Sequence, residues 1–124
     1  MEIIAHGIDL VDFPRLEQLI ERHGDRFLNR VFTPAEQAYA RAKRNSLETY
    51  AGRFAAKEAV LKAIGTGLSG GIRWTDVEVV NEPGGKPAVR LGGRITRRIG
   101  EKKVLLTISH TKELAIAQAI LLEG

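Results

Sequence analysis

The amino-acid sequence predicts one domain in which helices are combined with antiparallel strands, and three observations point to this class. The chain has 124 residues, of which 44% are apolar and 27% charged, and this is typical of a single globular core. Helical patterns with recognisable end signals follow an opening strand and occupy most of the first half of the chain. Short apolar runs separated by turn residues dominate the second half and predict two strand pairs.

The opening strand is predicted over residues 2–11, which are rich in β-branched and aliphatic side chains. Because side chains alternate along a strand, Ala5, Gly7 and Asp9 share one face. The neighbours of Asp9 on this face are small, so another group has room to approach its carboxylate.

The helices that follow are predicted from their end signals. Asp12 is suited to cap a first helix, and Gly24 is suited to end it. The segment T-P-A-E at 33–36 matches a capping box with proline at the first helical position, which predicts a further helix. The longest helix is expected from about Ser46 to Ile64, and Gly65 is placed to end it.

The second half of the chain is predicted to hold two strand pairs with a short basic helix between them. The turn at 82–86 contains Pro and Gly residues that favour a hairpin. In chain order the predicted elements are strands at 76–81 and 87–91, the helix at 92–102, and closing antiparallel strands at 104–109 and 114–122.

Cysteine is absent, which excludes disulfides, thiol catalysis and cysteine-bound zinc. The longest apolar stretches are far shorter than the roughly 20 residues that a membrane helix needs. The N-terminus carries Glu2 where a signal peptide would be basic, and no long apolar segment follows it. We therefore expect a soluble, cytoplasmic protein without a membrane partner.

The net charge of +4 is concentrated in two basic blocks, at 41–62 and at 86–103. Such blocks suggest an anionic partner, which is a nucleic acid, a phosphate-rich small molecule or an acidic protein. Solvated faces that keep the protein soluble explain them equally well, and charge alone does not decide. The chain lacks an aromatic-and-basic stacking motif, so a platform for single-stranded nucleic acid is poorly supported.

The longest predicted helix carries an unusual group of charges. Phe54, Glu58 and Lys62 are spaced four apart and lie on one face, and we expect Arg53 and Lys57 beside them. A surface pair of Glu58 with Lys62, contributing about 0.3–0.5 kcal/mol, is one interpretation. The helix is otherwise built of Ala, Phe, Val, Leu and Ile, however, and charges of both signs beside a packed interior also fit a site for a metal ion and a phosphate chain.

Asp9 is the second candidate metal ligand. A carboxylate in an apolar strand is costly unless it is paired, satisfied by backbone N–H groups or bound to a cation, and the sequence leaves these alternatives open. Together Asp9 and Glu58 would supply two hard oxygen ligands. Magnesium typically takes one or two protein carboxylates and completes its shell with water and substrate phosphates.

Two motifs with familiar spellings are not interpreted as catalytic. Residues 65–70 spell G-x-G-x-x-G, but they follow a helix rather than a strand, which argues against a dinucleotide fingerprint. Ser109 and His110 are adjacent on a predicted strand and therefore point to opposite faces, which disfavours a nucleophile and base pair. The end of this strand is better suited to hydrogen-bond a ligand.

Five segments resemble the holo-[acyl-carrier-protein] synthases, the small bacterial 4′-phosphopantetheinyl transferases. They are G-I-D-L-V at 7–11, R-F-L-N-R-V-F-T-P-A-E at 26–36, A-G-R-F-A-A-K-E-A-V-L-K-A-I-G-T-G at 51–67, G-K-P at 85–87 and S-H-T at 109–111. They follow the family's order over nearly the whole chain, and the segment at 51–67 is the most specific. The resemblance implies an α+β fold, a single domain over 1–124 with an antiparallel sheet packed with helices.

The resemblance also implies a reaction. This is the magnesium-dependent transfer of the 4′-phosphopantetheine arm of coenzyme A to a serine of apo acyl carrier protein, with release of 3′,5′-ADP, in fatty acid biosynthesis and lipid metabolism. By position in the motifs, Asp9 and Glu58 correspond to the metal ligands and, with Lys62 on the phosphates, to the catalytic residues. The positions that match the family's coenzyme A contacts are Arg53, Lys62, Gly65, Lys86, Pro87, Ser109, His110 and Thr111.

Carrier docking and assembly are likewise implied by the resemblance. The positions that match the family's docking helix are Arg15, Leu19, Arg22, Arg26 and Phe27. Carriers are acidic, which favours exposed arginines, although residues 1–30 hold six acidic residues and four basic ones. The family implies a homotrimer whose sites are shared between neighbouring subunits, with no nucleic-acid partner. Two alternatives stay open: a nucleic-acid-binding module that uses 86–103, and a regulatory domain that binds a phosphate ligand without reacting.

Overall fold

The structure is a computed structural model that describes residues 2–124, and five strands and five α-helices make up most of it. In chain order they are β1 (Ile3–Asp12), α1 (Phe13–His23), α2 (Asp25–Val31), α3 (Pro34–Arg41), α4 (Ser46–Ile64), β2 (Val77–Asn81), β3 (Pro87–Leu91), α5 (Gly93–Ile99), β4 (Lys103–His110) and β5 (Leu114–Leu122). Two 3-10 turns, Ser69–Gly71 and Trp74–Asp76, lie between α4 and β2.

The strands form two antiparallel sheets. The larger sheet has the order β1-β5-β4, so the last strand of the chain pairs with the first, and the hairpin of β2 and β3 forms the smaller sheet. Helix α4 packs against all three strands of the larger sheet and also contacts β2. This arrangement confirms the expected α+β class, and the one expected sheet is divided into two.

Helix α4 lies at the centre of the molecule and is buried on most of its circumference. Its small side chains allow the sheet and the other helices to approach its backbone on several sides at once, which is why it lacks one polar face. The fully or almost fully buried alanines of this helix are Ala51, Ala55, Ala56, Ala59 and Ala63.

Strand β1 approaches α4 most closely at Gly7. A Cβ atom added there would lie 2.1 Å from the backbone oxygen of Ala59, so only glycine fits at this position. The face of β1 that carries the small side chains turns inward, since Gly7 and Val11 are buried and Asp9 is half-buried. The close packing therefore brings Asp9 beside the helix.

The predicted helix ends are confirmed by their hydrogen bonds. Asp12 accepts a hydrogen bond from the backbone N–H of Arg15 at 3.0 Å. Thr33 and Glu36 form the predicted capping box, and Gly65 ends α4 with a left-handed φ of 86°. Helix α2 was not predicted, because Gly24 precedes it and provides no side-chain cap.

Among residues 2–124, every helix is too short or too polar to cross a bilayer.

Candidate active site

Asp9 of β1 and Lys62 of α4 meet at the junction between these two elements. The Lys62 ammonium lies 2.6 Å from the Asp9 carboxylate and also donates to the backbone carbonyl of Ile8 at 3.1 Å. The lysine side chain is 56% exposed whereas that of Asp9 is only 14% exposed. Asp9 raises the pKa of Lys62, so this cation is held at the edge of a partly buried anion and stays within reach of a ligand from solvent.

Glu58 lies beside the same aspartate. Burial is the main cause that raises the pKa of Glu58 to about 7, and a hydrogen bond to Asp9 and the negative charge of Asp9 raise it further. Lys62 and Arg15 oppose this change with their positive charges. Two neighbouring carboxylates repel each other when both are ionised, so the pair favours either a shared proton or a cation.

Two cavities open on either side of Glu58. One has a volume of about 410 Å³ and is lined by Asp9, Glu58, the first turns of α1, Phe54 and Trp74. The other, also about 410 Å³, is lined by Glu58, Lys62, Leu68 and Trp74 together with glycines of the loop after α4. Phe54, Glu58 and Lys62 therefore share a face, as predicted, and this face is the wall of the cavities.

Arg53 and Lys57 do not join this group, which corrects the expectation that they stand beside Glu58. Arg53 precedes Glu58 by five residues and is rotated from it by about 140° around the helix axis. Lys57 is buried on another side of α4, where its ammonium pairs with Glu36 at 2.7 Å and both side chains are 0% exposed. Helical geometry separates neighbours in sequence, and only the residues spaced by four converge.

Arg53 instead lines a separate cavity of about 300 Å³ together with Tyr39, Asn81, Pro87 and His110. Its guanidinium donates to the Asn81 side chain at 2.6 Å and stacks 4.2 Å from the centre of the Tyr39 ring. Its buried Nε atom has no partner within the described residues. Burial lowers the pKa of Arg53, as expected for a cation that is short of partners.

The other residues predicted to hold coenzyme A are spread over the end of β4, two turns and the end of α4. His110 faces Arg53 across the cavity and lies 3.1 Å from the Glu48 carboxylate. Ser109 is exposed on the strand next to it, and Thr111 accepts hydrogen bonds from two backbone N–H groups of the following turn. Lys86 is exposed at the end of the β2–β3 turn, and Gly65 lines the second cavity beside Glu58.

The predicted docking residues lie on two helices rather than on one. Arg15 and Arg22 are exposed on α1, and Arg15 also lines the first cavity with Leu19. Arg26 is exposed on α2. Phe27, also on α2, is half-buried and packs edge-to-face on Phe54 with the ring centres 5.8 Å apart, so most of its ring serves the core.

Asp9 and Glu58 are the residues suited to hold a metal ion. Within residues 2–124 no group of three or more His, Asp or Glu side chains could hold a metal ion, and a site at Asp9 and Glu58 would have two protein carboxylates. Such a donor set fits magnesium, which needs few protein ligands when water and phosphate oxygens complete its octahedron. The raised pKa of Glu58 is consistent with this fit, because a cation would relieve the repulsion that causes part of it.

Trp74 is a site residue that the sequence reasoning missed. It lines both cavities beside Glu58, and its ring lies 5.3 Å from that of Phe54. Trp74 lies in a 3-10 turn that has no periodic pattern of apolar residues, so its place in the site could not be predicted from residue spacing. The one available signal is that it is the single tryptophan of the chain and follows the glycine-rich loop.

Comparisons with known proteins agree with this geometry. A family model described as the 4′-phosphopantetheinyl transferase superfamily matches residues 5–119. The holo-[acyl-carrier-protein] synthase of Koribacter versatilis is 48% identical over 122 residues, which cover 96% of this chain and 98% of that protein. The crystal structure of the holo-[acyl-carrier-protein] synthase from Neisseria meningitidis matches with a TM-score of 0.90 and 28% identity, covering 98% of this chain and 100% of the other.

A second solved structure bears on the ligand. The holo-(acyl-carrier-protein) synthase of Bacillus anthracis in complex with CoA (3′,5′-ADP) has a TM-score of 0.83 and 37% identity, and 98% of each chain is covered. Family model, sequence and fold agree over nearly the whole length. The chain therefore belongs to the holo-[acyl-carrier-protein] synthase family of the 4′-phosphopantetheinyl transferase superfamily.

Proposed function

We propose that this protein transfers the 4′-phosphopantetheine arm of coenzyme A to a serine of an apo acyl carrier protein in the cytoplasm. The serine oxygen loses its proton to water and forms a bond to the phosphorus next to the pantetheine, the bond from that phosphorus to the bridging oxygen breaks, and 3′,5′-ADP leaves with the bridging oxygen. The observation that carries the proposal is the meeting of Asp9, Glu58 and Lys62 at two cavities of a chain in this family.

Asp9 and Glu58 would hold one magnesium ion through their carboxylate oxygens. When bound, this ion neutralises charge on the diphosphate and orients it for in-line attack. Both carboxylates line the same cavity, and strand β1 is packed closely against α4 at Gly7, so little rearrangement is needed to bring the ligands together. Glu58 then remains ionised, because a neighbouring cation favours the charged form.

Lys62 supplies the mobile positive charge of the site. Its side chain is more than half exposed and its ammonium is bound to Asp9, so it can turn toward phosphate oxygens in the adjacent cavity. Phosphoryl transfer needs charge stabilisation and positioning more than a strong base, and a lysine suits this task. Trp74 and Phe54 form the apolar wall that keeps water from one side of the reacting groups.

The nucleotide part of coenzyme A is proposed to bind in the Arg53 cavity of a neighbouring subunit. Arg53 has a buried Nε without a partner, and His110 faces the same space, so an anionic phosphate or a nucleobase would find donors there. Within one chain this cavity shares no lining residue with the two at Glu58. One coenzyme A molecule would then contact the Glu58 cavities of one subunit and the Arg53 cavity of its neighbour.

The outer face of the larger sheet supports a homotrimer that shares its sites in this way. Ile8 and Leu10 of β1 are more than half exposed, at 51% and 59%, and Leu105 of β4 is 48% exposed. The strand register places Ile116 opposite Leu10, Ile120 opposite Leu105 and the exposed Gln118 opposite Ile8, so these apolar side chains share one face of the sheet with a polar residue among them. Patches of this kind on a small protein mark an interaction surface.

The acidic carrier is proposed to dock along α1, where Arg15 and Arg22 are exposed. Arg15 also lines the first cavity beside Glu58, so a carrier held by this arginine would present its serine at the cavity mouth. Contacts between exposed charges mainly accelerate encounter and lose strength with added salt. Arg26 would extend this surface from the adjoining helix.

Mass spectrometry tests the proposed function directly. The protein is incubated with coenzyme A, magnesium and an apo carrier, and we expect the carrier to gain the mass of one phosphopantetheine while 3′,5′-ADP accumulates. Glu58→Gln is the matched control, since it keeps the side-chain shape and removes the charge. Carriers of several types that all remain unmodified by the wild-type protein would refute the proposal.

A further inference from the structure

A buried ion pair that the proposed reaction does not use lies directly behind the site. The Lys57 ammonium and the Glu36 carboxylate are 2.7 Å apart, and both side chains are fully buried. The ring of Phe32 covers the ammonium at 5.7 Å. Burial lowers the pKa of Lys57, and the charge of Glu36 opposes that effect.

The pair connects three parts of the chain through its hydrogen bonds. Glu36 accepts from the backbone N–H of Thr33 at 2.8 Å and from that of Val79 at 2.8 Å. Lys57 donates to the backbone carbonyls of Trp74 at 3.2 Å and Val77 at 2.5 Å. The first turn of α3, the middle of α4 and the segment from Trp74 to Val79 are thus tied at one point.

Stability alone is a weak explanation for such a pair. Desolvating two charges costs about as much as their attraction returns, and packed apolar side chains of similar volume often serve a core equally well. The hydrogen bonds, by contrast, have a definite direction: two of them hold the segment that presents Trp74. Lys57 is also the residue next to Glu58 on α4, so the anchor and the proposed metal ligand share one rigid helical turn.

We propose that Glu36 and Lys57 are positioning residues for the active site. They hold the Trp74–Val77 segment against α4, so that the Trp74 indole forms the common wall of the two cavities at Glu58. This inference rests on the proposed function. It assigns the pair to catalysis through Trp74, and neither charge touches the substrate.

The double variant Glu36→Gln/Lys57→Met tests the proposal without leaving a buried charge unpaired. We expect the variant to fold, with the fluorescence emission of Trp74 shifted to the red and more accessible to a soluble quencher, because the indole is the only one in the chain. We expect kcat to fall by about tenfold or more, as for reacting groups that lose their alignment, while the KM for coenzyme A changes less than twofold. Arg90→Gln, which removes a 75% exposed arginine paired with Glu78, is the control and should change none of these values.

A folded double variant with unchanged Trp74 emission, or with unchanged kcat, overturns the proposal. If the double variant does not fold, Trp74→Ala in the intact background decides instead: the proposal requires a similar fall in kcat with a circular dichroism spectrum like that of the wild type. Full activity of that variant overturns it. If the wild-type protein modifies no carrier, the proposed function fails, but Trp74 emission still tests whether the pair holds the segment, and an unchanged emission refutes that claim.

Discussion

Replacing Gly7 by alanine tests how β1 and α4 hold the two carboxylates together. The added Cβ would lie 2.1 Å from the backbone oxygen of Ala59, and further close contacts involve the backbone of Ala63 at 2.8 Å and the Cβ of Lys62 at 2.9 Å. Restoring an ordinary contact requires the strand to move by about 1.3 Å or more. Two of the three obstacles are backbone atoms, which cannot rotate away as a side chain can.

We expect this change to cost about 3 kcal/mol of unfolding free energy, the upper end of the range for overpacking. For a domain of this size, that corresponds to a melting temperature lower by about 10 °C. Because the displaced strand carries Asp9, we also expect the transfer rate to fall by about 100-fold. Urea unfolding measures the first effect, and mass spectrometry of the carrier measures the second at a temperature where the variant is folded.

Gly52→Ala is the matched control for stability. Its added Cβ meets only the Cγ2 atom of the Ile108 side chain, at 3.3 Å, and alanine is favoured over glycine in a helix by about 1 kcal/mol. We expect its stability to stay within about 1 kcal/mol of the wild type. A Gly7→Ala protein that is as stable as the wild type and fully active would refute the argument that close packing sets the geometry of the site.

Further predictions concern the charges and the assembly. Glu58→Gln should lower the transfer rate by about 100-fold or more without lowering stability, because a neutral side chain suits this half-buried position. The pKa of Glu58 is about 7 in the folded state and 4.5 ordinarily, so between these pH values the folded protein binds more protons than the unfolded chain. Without metal, the unfolding free energy of the wild type should therefore fall as the pH rises through this range, and Glu58→Gln should remove this slope. For the same reason magnesium binding below pH 7 should release a proton, which calorimetry in buffers of different ionisation enthalpy detects. Ile8→Asp should convert a trimer into monomers in analytical ultracentrifugation and abolish transfer. Arg53→Ala and Glu58→Gln should each be nearly inactive alone. Mixing the two variants should restore activity when subunits exchange, because some sites then combine an intact Arg53 from one subunit with an intact Glu58 from another.

Each of these has an outcome that contradicts it. A fully active Glu58→Gln protein would exclude the glutamate as a required ligand. A pH slope that persists in this variant, or magnesium binding below pH 7 without proton release, would assign the titration to another group. A monomeric wild type, or an active Ile8→Asp monomer, would refute shared sites, and so would mixed variants that remain inactive after verified subunit exchange.

Local signals in the sequence predicted most of the fold. The caps at Asp12 and Thr33, and the left-handed Gly65, depend on hydrogen bonds and backbone angles within a few residues, so they can be inferred before any tertiary contact is known. The alternation of β1 likewise placed Asp9 on the face with Ala5 and Gly7, but only the structure shows that this face turns inward. Helix α2 was not predicted because no side chain caps its first turn.

The parts of the site that depend on tertiary contacts could not be predicted in this way. Helical spacing correctly placed Glu58 with Lys62, but nothing local distinguishes a lysine that faces a cavity from Lys57, which meets Glu36 from a distant helix. Trp74 reaches the site because its backbone is held by that lysine, and a contact of this range leaves no periodic pattern. Arg53 was expected beside Glu58, although its five-residue separation places it on another side of α4.

A crystal structure of the protein with coenzyme A and magnesium tests the central claim most directly. We predict one cation bound by carboxylate oxygens of both Asp9 and Glu58 and by the diphosphate of coenzyme A, with Lys62 on a phosphate oxygen and the nucleotide contacting Arg53 of an adjacent copy. Coenzyme A bound with its diphosphate away from these carboxylates, or a cation held by neither of them, would contradict the account.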